Sequence, residues 1–252
     1  MLHQISNSSQ NYNYNAFVYT NTSWDSHFHT NYELIYAVEG NVCVRVDMDE
    51  YVLHTGELLL IPPSAVHSLY AECARTWVGV FSDDFVPRFA AETKNLRYSK
   101  FTLTPDTEEY LREHLFFTGQ PDKYMTSACI YAVCSECVAR AEVTEDERDR
   151  DFINSTTSFI AENISRDISM HDAAEHLGYE YHYFSSLFNR SFGMPFKSYI
   201  NTYRFNKACT LLSKHESNVT QICDECGFTS IRNFNRVFKK MSGTTPSEYR
   251  RK

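Results

Sequence analysis

The sequence predicts an α+β chain of two domains, a β-rich N-terminal half closed as a sandwich or barrel and an all-α C-terminal half. Three observations carry this. Short alternating runs separated by turn residues fill the stretch from Trp24 to Ser82. From Pro105 onward the apolar period changes from two to about 3.6 residues. Near the C-terminus, Phe184-x3-Phe188-x4-Gly193-x5-Tyr199 returns 50 residues later as Phe234-x3-Phe238-x4-Gly243-x5-Tyr249. In each copy the four-residue spacing puts both rings on one helix face, and a Gly follows where a helix C-terminus needs positive φ. Each copy is preceded by a short amphipathic stretch ending in Gly and an aromatic, Leu177-Gly178-Tyr179 and Cys226-Gly227-Phe228. Short helix, tight turn and second helix make a helix-turn-helix, here duplicated, and two such units on one chain point to DNA.

Residues 1–23 are polar and rich in Asn, Ser and Tyr, which predicts an arm or a first edge strand. Strands are predicted at Glu33–Val38, Val42–Asp47, Tyr51–His54, Leu58–Ile61, His67–Ala71 and Thr76–Phe81. Turn residues separate them at Gly40-Asn41, Asp47-Met48-Asp49, Thr55-Gly56 and Pro62-Pro63-Ser64. Leu111 and Leu115 lie one helical turn apart. A second helix over Lys123–Val143 is predicted to carry a stripe of Met125, Ala128, Cys129, Ala132, Val133, Glu136 and Ala139. That stripe either packs on the barrel or forms a dimer seam. The charged run 144–151 is too polar to bury and reads as a linker, which divides the chain into a sensing domain over 1–103, a helical dimerisation element over 104–143 and a DNA-binding domain over 152–252. Beyond it, Phe152, Ile153, Thr156, Phe159, Ile160 and Ile164 form one helical stripe. Ser169 caps the next helix, with Asp172 completing a capping box. Helices over Tyr181–Ser191, Phe196–Ser213, Val219–Cys226 and Ile231–Met241 follow, the last capped by Thr229 or Ser230.

The formal net charge of −8 hides an asymmetry: residues 1–150 carry 11 Lys and Arg against 22 Asp and Glu, whereas residues 181–252 carry 12 against 4. A basic tail on an acidic half suits phosphate binding at one end only. No charge-free apolar run reaches membrane-spanning length and the first residues lack a basic region followed by an apolar core, so a cytoplasmic protein without membrane contact is expected. Most of the eight cysteines fall in helical patterns as small apolar residues. Cys223-x2-Cys226 lacks a matching ligand pair, so buried thiols are expected there rather than zinc or redox chemistry.

The segment Ile168–Arg250 resembles the DNA-binding domain of the AraC/XylS family of bacterial transcription regulators. The resemblance rests on Gly227-Phe228, Phe234, Phe238-Lys239-Lys240, Gly243 and Thr245-Pro246, and on Arg204, Ala208 and Leu211-Leu212 in the connecting helix. The first unit departs from the pattern, with Glu180 and Tyr181 in place of the usual cap Ser and following Pro, which predicts weaker binding by that unit. With Phe184, Leu187 and Phe188 committed to the core, His182, Ser185, Ser186 and Asn189 are left to face a major groove. In the second unit Ile231, Arg232, Asn235 and Arg236 do the same, Arg suiting guanine, Asn adenine and Ile a thymine methyl. Arg190, Lys197, Lys239, Lys240, Arg250 and Arg251, with Lys252, are expected on phosphates. Two heads on one monomer should enter successive major grooves about 34 Å apart.

In the N-terminal half, His27-x-His29-x3-Glu33-x6-Gly40 followed by Gly56-x5-Pro62-x4-His67 resembles the two motifs of the cupin barrel, including the three His and the Glu that hold a metal in cupin enzymes. Ser64 departs from the Gly usual there. Regulators of the AraC/XylS family often keep these positions without metal, so no cofactor is expected. If a metal is held, His27, His29, Glu33 and His67 hold it. The expected occupant is a small polar effector, a sugar among the candidates, with Tyr36, Arg45 and Trp77 as further pocket walls.

Together these readings imply a cupin-like barrel with a helical dimerisation element and an all-α double helix-turn-helix domain: a homodimeric, effector-controlled, sequence-specific DNA-binding regulator without enzymatic activity. As an activator it would also touch RNA polymerase. Two alternatives stand beside it: a metallo-cupin enzyme of dioxygenase or isomerase type, and a thiol sensor using Cys129, Cys134 and Cys137.

Overall fold

A computed structural model describes residues 14–29, 31–93, 96–117, 122–143, 147–214 and 217–251. The chain divides into two compact units, 12–145 and 146–252.

Among the described residues, the first unit is built on nine strands: β1 (Tyr14–Thr20), β2 (Ser23–His27), β3 (Tyr32–Glu39), β4 (Val42–Val46), β5 (Asp49–Leu53), β6 (Glu57–Ile61), β7 (His67–Tyr70), β8 (Arg75–Phe81) and β9 (Phe101–Thr102). They form two sheets, ordered β1-β8-β3-β6-β9 and β2-β7-β4-β5. The six strands read from the sequence are all present within two residues of their expected ends, and β1 is the edge strand anticipated in the polar N-terminal stretch. The arm read from residues 1–13 lies outside the described residues.

Alternation along each strand creates two separate cores. Ile35 and Ala37 of β3, Val78 and Val80 of β8, and Leu59 and Ile61 of β6 point between the sheets, where they meet Val42, Val44, Leu53 and Leu69. The intervening residues Tyr32, Leu34, Tyr36, Leu58, Leu60 and Trp77 point the other way, against a helical layer. That layer comprises α1 (Pro87–Glu92), α2 (Pro105–Leu111), a π-helical turn (Arg112–Phe116) and α3 (Lys123–Arg140). α1 and β9 were not anticipated. α3 buries Thr126, Cys129, Ile130, Val133, Cys134 and Cys137. Its buried face is therefore rotated from the expected stripe, because small Thr and Cys side chains fit the sheet while Ala128 and Ala139 remain exposed.

The second unit is helical: α4 (Glu147–Asn163), α5 (Met170–His176), α6 (Tyr181–Phe192), α7 (Phe196–Lys214), α8 (Val219–Glu225), α9 (Ile231–Ser242) and a short α10 (Pro246–Tyr249). The expected linker is corrected here. Residues 144–146 lie outside the described residues, but helix already begins at Glu147, inside the expected linker, where Glu147, Arg148 and Arg150 are good helix formers. The remaining boundaries follow the sequence closely. Ser169 and Asp172 form the capping box, Ser230 rather than Thr229 caps α9, and Gly193 and Gly243 end α6 and α9 in the left-handed region.

Candidate nucleic-acid interface and effector site

In α6 and α9 the apolar positions are consumed by packing. Phe184, Leu187 and Phe188 are buried in α6, and Phe234, Val237 and Phe238 in α9, where the rings of Phe205, Phe228 and Tyr249 meet them. What remains outward is what the spacing predicted: His182, Ser186 and Asn189 on α6, and Ile231, Arg232, Asn235 and Arg236 on α9, all exposed, with Ser185 half-buried. Arg236 Nη2 donates to Asn233 Oδ1 at 2.9 Å, which presets the guanidinium on the outer face. Arg190, Lys197, Lys239, Lys240 and Arg251 are exposed. Lys252 lies outside the described residues. Arg250 is a correction to the expected phosphate set: it is half-buried and its guanidinium donates to the Ser217 carbonyl, tying α10 to the approach to α8. Sequence reasoning also passed over Tyr181 and Tyr183, both exposed on the first turn of α6. The spacing marks Tyr183, which lies off the Phe184 and Phe188 face, whereas Tyr181, seven residues before Phe188, shares that face and is exposed because it opens the helix.

The two helix-turn-helix units are held together by α4. Arg204, buried on α7, donates from Nε to the Ile164 carbonyl at 3.3 Å and from Nη2 to the Arg166 carbonyl at 2.6 Å, and its guanidinium lies over the Phe228 ring. The orphan carbonyls at the end of α4 are thereby satisfied by the helix that joins the two heads.

In the barrel, β2 ends at His27, which pairs in register with His67 at the start of β7, while β3 supplies Glu33 and the connection before it supplies His29. All four are buried, and one ligand atom from each lies within 4.8 Å of the others. The three Nδ1 atoms donate to main-chain carbonyls: His27 to Asp25 at 2.9 Å, His29 to Asn31 at 3.0 Å and His67 to Ala65 at 2.9 Å. Each neutral ring therefore presents its Nε2 lone pair. His29 Nε2 is 2.8 Å and His67 Nε2 3.7 Å from Glu33 Oε2. Lone pairs facing a carboxylate at 2.8 Å need a cation between or beside them, either a shared proton or a metal ion. Burial pushes His27 and His29 below the ordinary imidazole pKa. His67, though burial opposes its charge, is held above it by Glu33. Three imidazoles and a carboxylate with locked tautomers fit a divalent transition metal. Ser64, in the Gly position of the second motif, adopts φ 65 and donates its N–H to the His29 carbonyl at 2.8 Å.

Three expected pocket walls are displaced. Tyr36 and Trp77 belong to the helix-facing core, on the opposite side of the sheet from Glu33. Tyr36 OH instead donates to Glu108 Oε1 at 2.5 Å and stacks on Phe116. Arg45 is exposed on β4 and donates to the Asp47 carbonyl at 3.1 Å. Asp47, which the sequence marks only as a turn residue, is buried near His67. Its Oδ1 accepts from Val66 N at 3.0 Å, Arg97 Nε lies 3.6 Å from Oδ2, and burial raises its pKa despite these partners.

The thiol readings lose support from geometry. Burial pushes Cys129 up to about 11 and Cys137 and Cys226 up to about 12, and raises Cys134 as well, so none offers a thiolate at neutral pH.

Comparison with known proteins gives a consistent picture. A family model described as a helix-turn-helix domain matches residues 173–252, and one described as a cupin domain matches residues 20–74. The melibiose operon regulatory protein of Escherichia coli K12 is 31% identical over 100 residues, covering 40% of this chain and 33% of that protein. An uncharacterised helix-turn-helix-type transcriptional regulator of Bacillus subtilis is 32% identical over 84 residues, covering 33% of this chain and 11% of its own length. The chain thus spans a third or less of these two relatives. Among solved structures, ToxT from Vibrio cholerae superposes with a TM-score of 0.51 at 18% identity, covering 94% of this chain and 98% of that one, a likeness of fold. No helix among the described residues is long and apolar enough to cross a membrane.

Proposed function

With an AraC-type helix-turn-helix pair joined to a cupin domain, the chain belongs to the AraC/XylS regulators, and from that premise we propose that it binds double-stranded DNA sequence-specifically under control of an effector held in the barrel. One observation carries the reading: both second helices bury every Phe and leave a polar or basic face outward. Arg232, Asn235, Arg236 and Ile231 read bases from α9. His182, Ser185, Ser186 and Asn189 read them from α6. Arg190, Lys197, Lys239, Lys240 and Arg251 anchor phosphates. The protein works in the cytoplasm, has no enzymatic activity, and touches RNA polymerase where it activates.

The effector site is the His27, His29, Glu33 and His67 cluster. By its name the melibiose operon regulator serves a sugar operon, and a sugar is one effector class consistent with such a relative. The locked Nδ1 hydrogen bonds favour a second reading, in which these four residues hold a divalent metal that supplies fixed positive charge and Lewis acidity. A signal from the cluster has a direct route outward, because β3 carries Glu33 on one face and, on the other, Tyr36 with its Glu108 and Arg112 partners. Dimerisation uses the outer face of α3, where Tyr124, Ala128, Tyr131, Ser135 and Val138 are exposed at alternating spacings of four and three residues.

The test is binding of the full chain to size-selected genomic DNA, followed by footprinting. Recovered fragments sharing a site, with salt-sensitive binding lost in Arg232→Ala/Arg236→Ala, would support the reading. Absence of duplex binding at low salt by folded protein would refute it.

A further inference from the structure

The two second helices are built on one plan and charged on two. α9 starts behind Ser230, whose hydroxyl accepts from Asn233 N at 3.2 Å, a neutral cap that leaves the positive end of the helix dipole uncompensated. α6 starts behind Glu180, whose carboxylate accepts from Tyr183 N at 3.0 Å. The N–H groups of His182 and Tyr183 hold that carboxyl below its ordinary pKa, so it is ionised at neutral pH. The outward faces differ in the same sense. Arg232, Arg236, Lys239 and Lys240 lie on α9, whereas Arg190 is the sole Lys or Arg within α6. Where α9 carries cations, the start of α6 carries rings. Tyr181 and Tyr183 are exposed, Tyr179 stacks on Tyr183 with centroids 5.9 Å apart, and His171 meets Tyr181 edge-on at 6.0 Å.

Resting on the DNA-binding reading above, we infer that the heads divide the work: α9 supplies the ionic grip, while α6 adds to its polar base-reading side chains a ring contact with thymine methyls, with Glu180 opposing the phosphates. A carboxylate at the helix start removes the dipole contribution that draws a phosphate to such a terminus and adds like-charge repulsion. Aromatic faces reward a methyl that uracil lacks. The first head therefore contributes discrimination at low ionic strength-dependence, and its affinity is held down by one residue.

The experiment uses the full chain and a footprinted natural site, with binding measured across a salt series. Glu180→Gln and Glu180→Ser both remove the charge, and Ser restores the cap that α9 uses, so agreement between them separates charge from capping. Each is expected to tighten binding by roughly two- to fivefold, the size of a charge effect at an exposed helix terminus. Lys239→Ala/Lys240→Ala should lower the slope of log affinity against log salt by about 1.8. Tyr181→Ala/Tyr183→Ala should weaken binding with the slope unchanged, and deoxyuridine in place of thymidine under α6 should weaken the wild type but not this double variant. Affinity within twofold of wild type for both Glu180 variants, or an unchanged response to uracil when the two Tyr are removed, overturns the division of labour. A wild-type chain that binds no duplex instead refutes the DNA-binding reading on which it rests.

Discussion

Gly178 and Gly227 occupy the same place in the two helix-turn-helix turns and share a backbone conformation, with φ 74 and φ 75. Their surroundings differ. A Cβ added at Gly178 meets nothing within 4 Å, whereas one added at Gly227 would lie 2.2 Å from the Ile164 carbonyl oxygen and 2.8 and 2.9 Å from the Ser165 C and Cα. The contacting atoms are backbone and cannot rotate aside, and Arg204 already clasps the Ile164 carbonyl. Left-handed φ penalises Ala at both sites by about 1–2 kcal/mol. Overpacking adds about 1–3 kcal/mol at Gly227 alone. Gly178→Ala should therefore destabilise the tail by about 1–2 kcal/mol and Gly227→Ala by about 2–5 kcal/mol. Both Trp residues, Trp24 and Trp77, lie in the barrel half, so urea unfolding followed by far-ultraviolet circular dichroism and by Trp fluorescence distinguishes the tail transition from the barrel transition. Costs equal to within about 0.5 kcal/mol, the scatter within which independent sites add, would refute the argument that close backbone approach governs the second turn.

Arg204→Met, which keeps the bulk but removes the donors to Ile164 and Arg166, should destabilise the tail by about 2–3 kcal/mol in the same assay, and Arg204→Lys should recover only part of it. Although partial burial opposes its charge, Glu108 is held below the ordinary carboxylate pKa by Tyr36 and Arg112, so its contribution is complete above the unfolded pKa and is lost as pH falls through the lower folded value. Barrel stability followed by Trp fluorescence should accordingly drop less steeply below about pH 5 in Glu108→Gln than in the wild type. If the His27, His29, Glu33 and His67 cluster holds a divalent metal, chelation should lower the barrel melting temperature, and re-addition at about 100 times its Kd should restore about 2.7 kcal/mol, with no response in His67→Ala/Glu33→Gln. Tyr131→Glu/Val138→Glu, on the outer face of α3, should shift sedimentation from dimer to monomer while leaving the melting of the barrel unchanged.

Local signals made most of the fold legible, since strands bounded by turn residues and helices bounded by Ser, Asn and Gly need no tertiary information to be placed. Errors arose where the question was which way a side chain faces. On α3 the buried face runs through Cys134 and Cys137 rather than Ala128 and Ala139, because thiols bury readily. In the barrel the misplaced walls had a simpler cause. Glu33 and Tyr36 are three residues apart on one strand, an odd separation, so alternation alone sends them to opposite faces. Applied to β3, that rule would have removed Tyr36 from the pocket, and the register pairing Tyr36 with Trp77 removes Trp77 with it. What parity could not supply is the Nδ1 pattern of the three His, because Asp25, Asn31 and Ala65 accept through main-chain carbonyls that carry no residue signature. Motif spacing therefore identifies which imidazoles converge. The fold alone decides which nitrogen each presents, and with it whether the cluster calls for a cation.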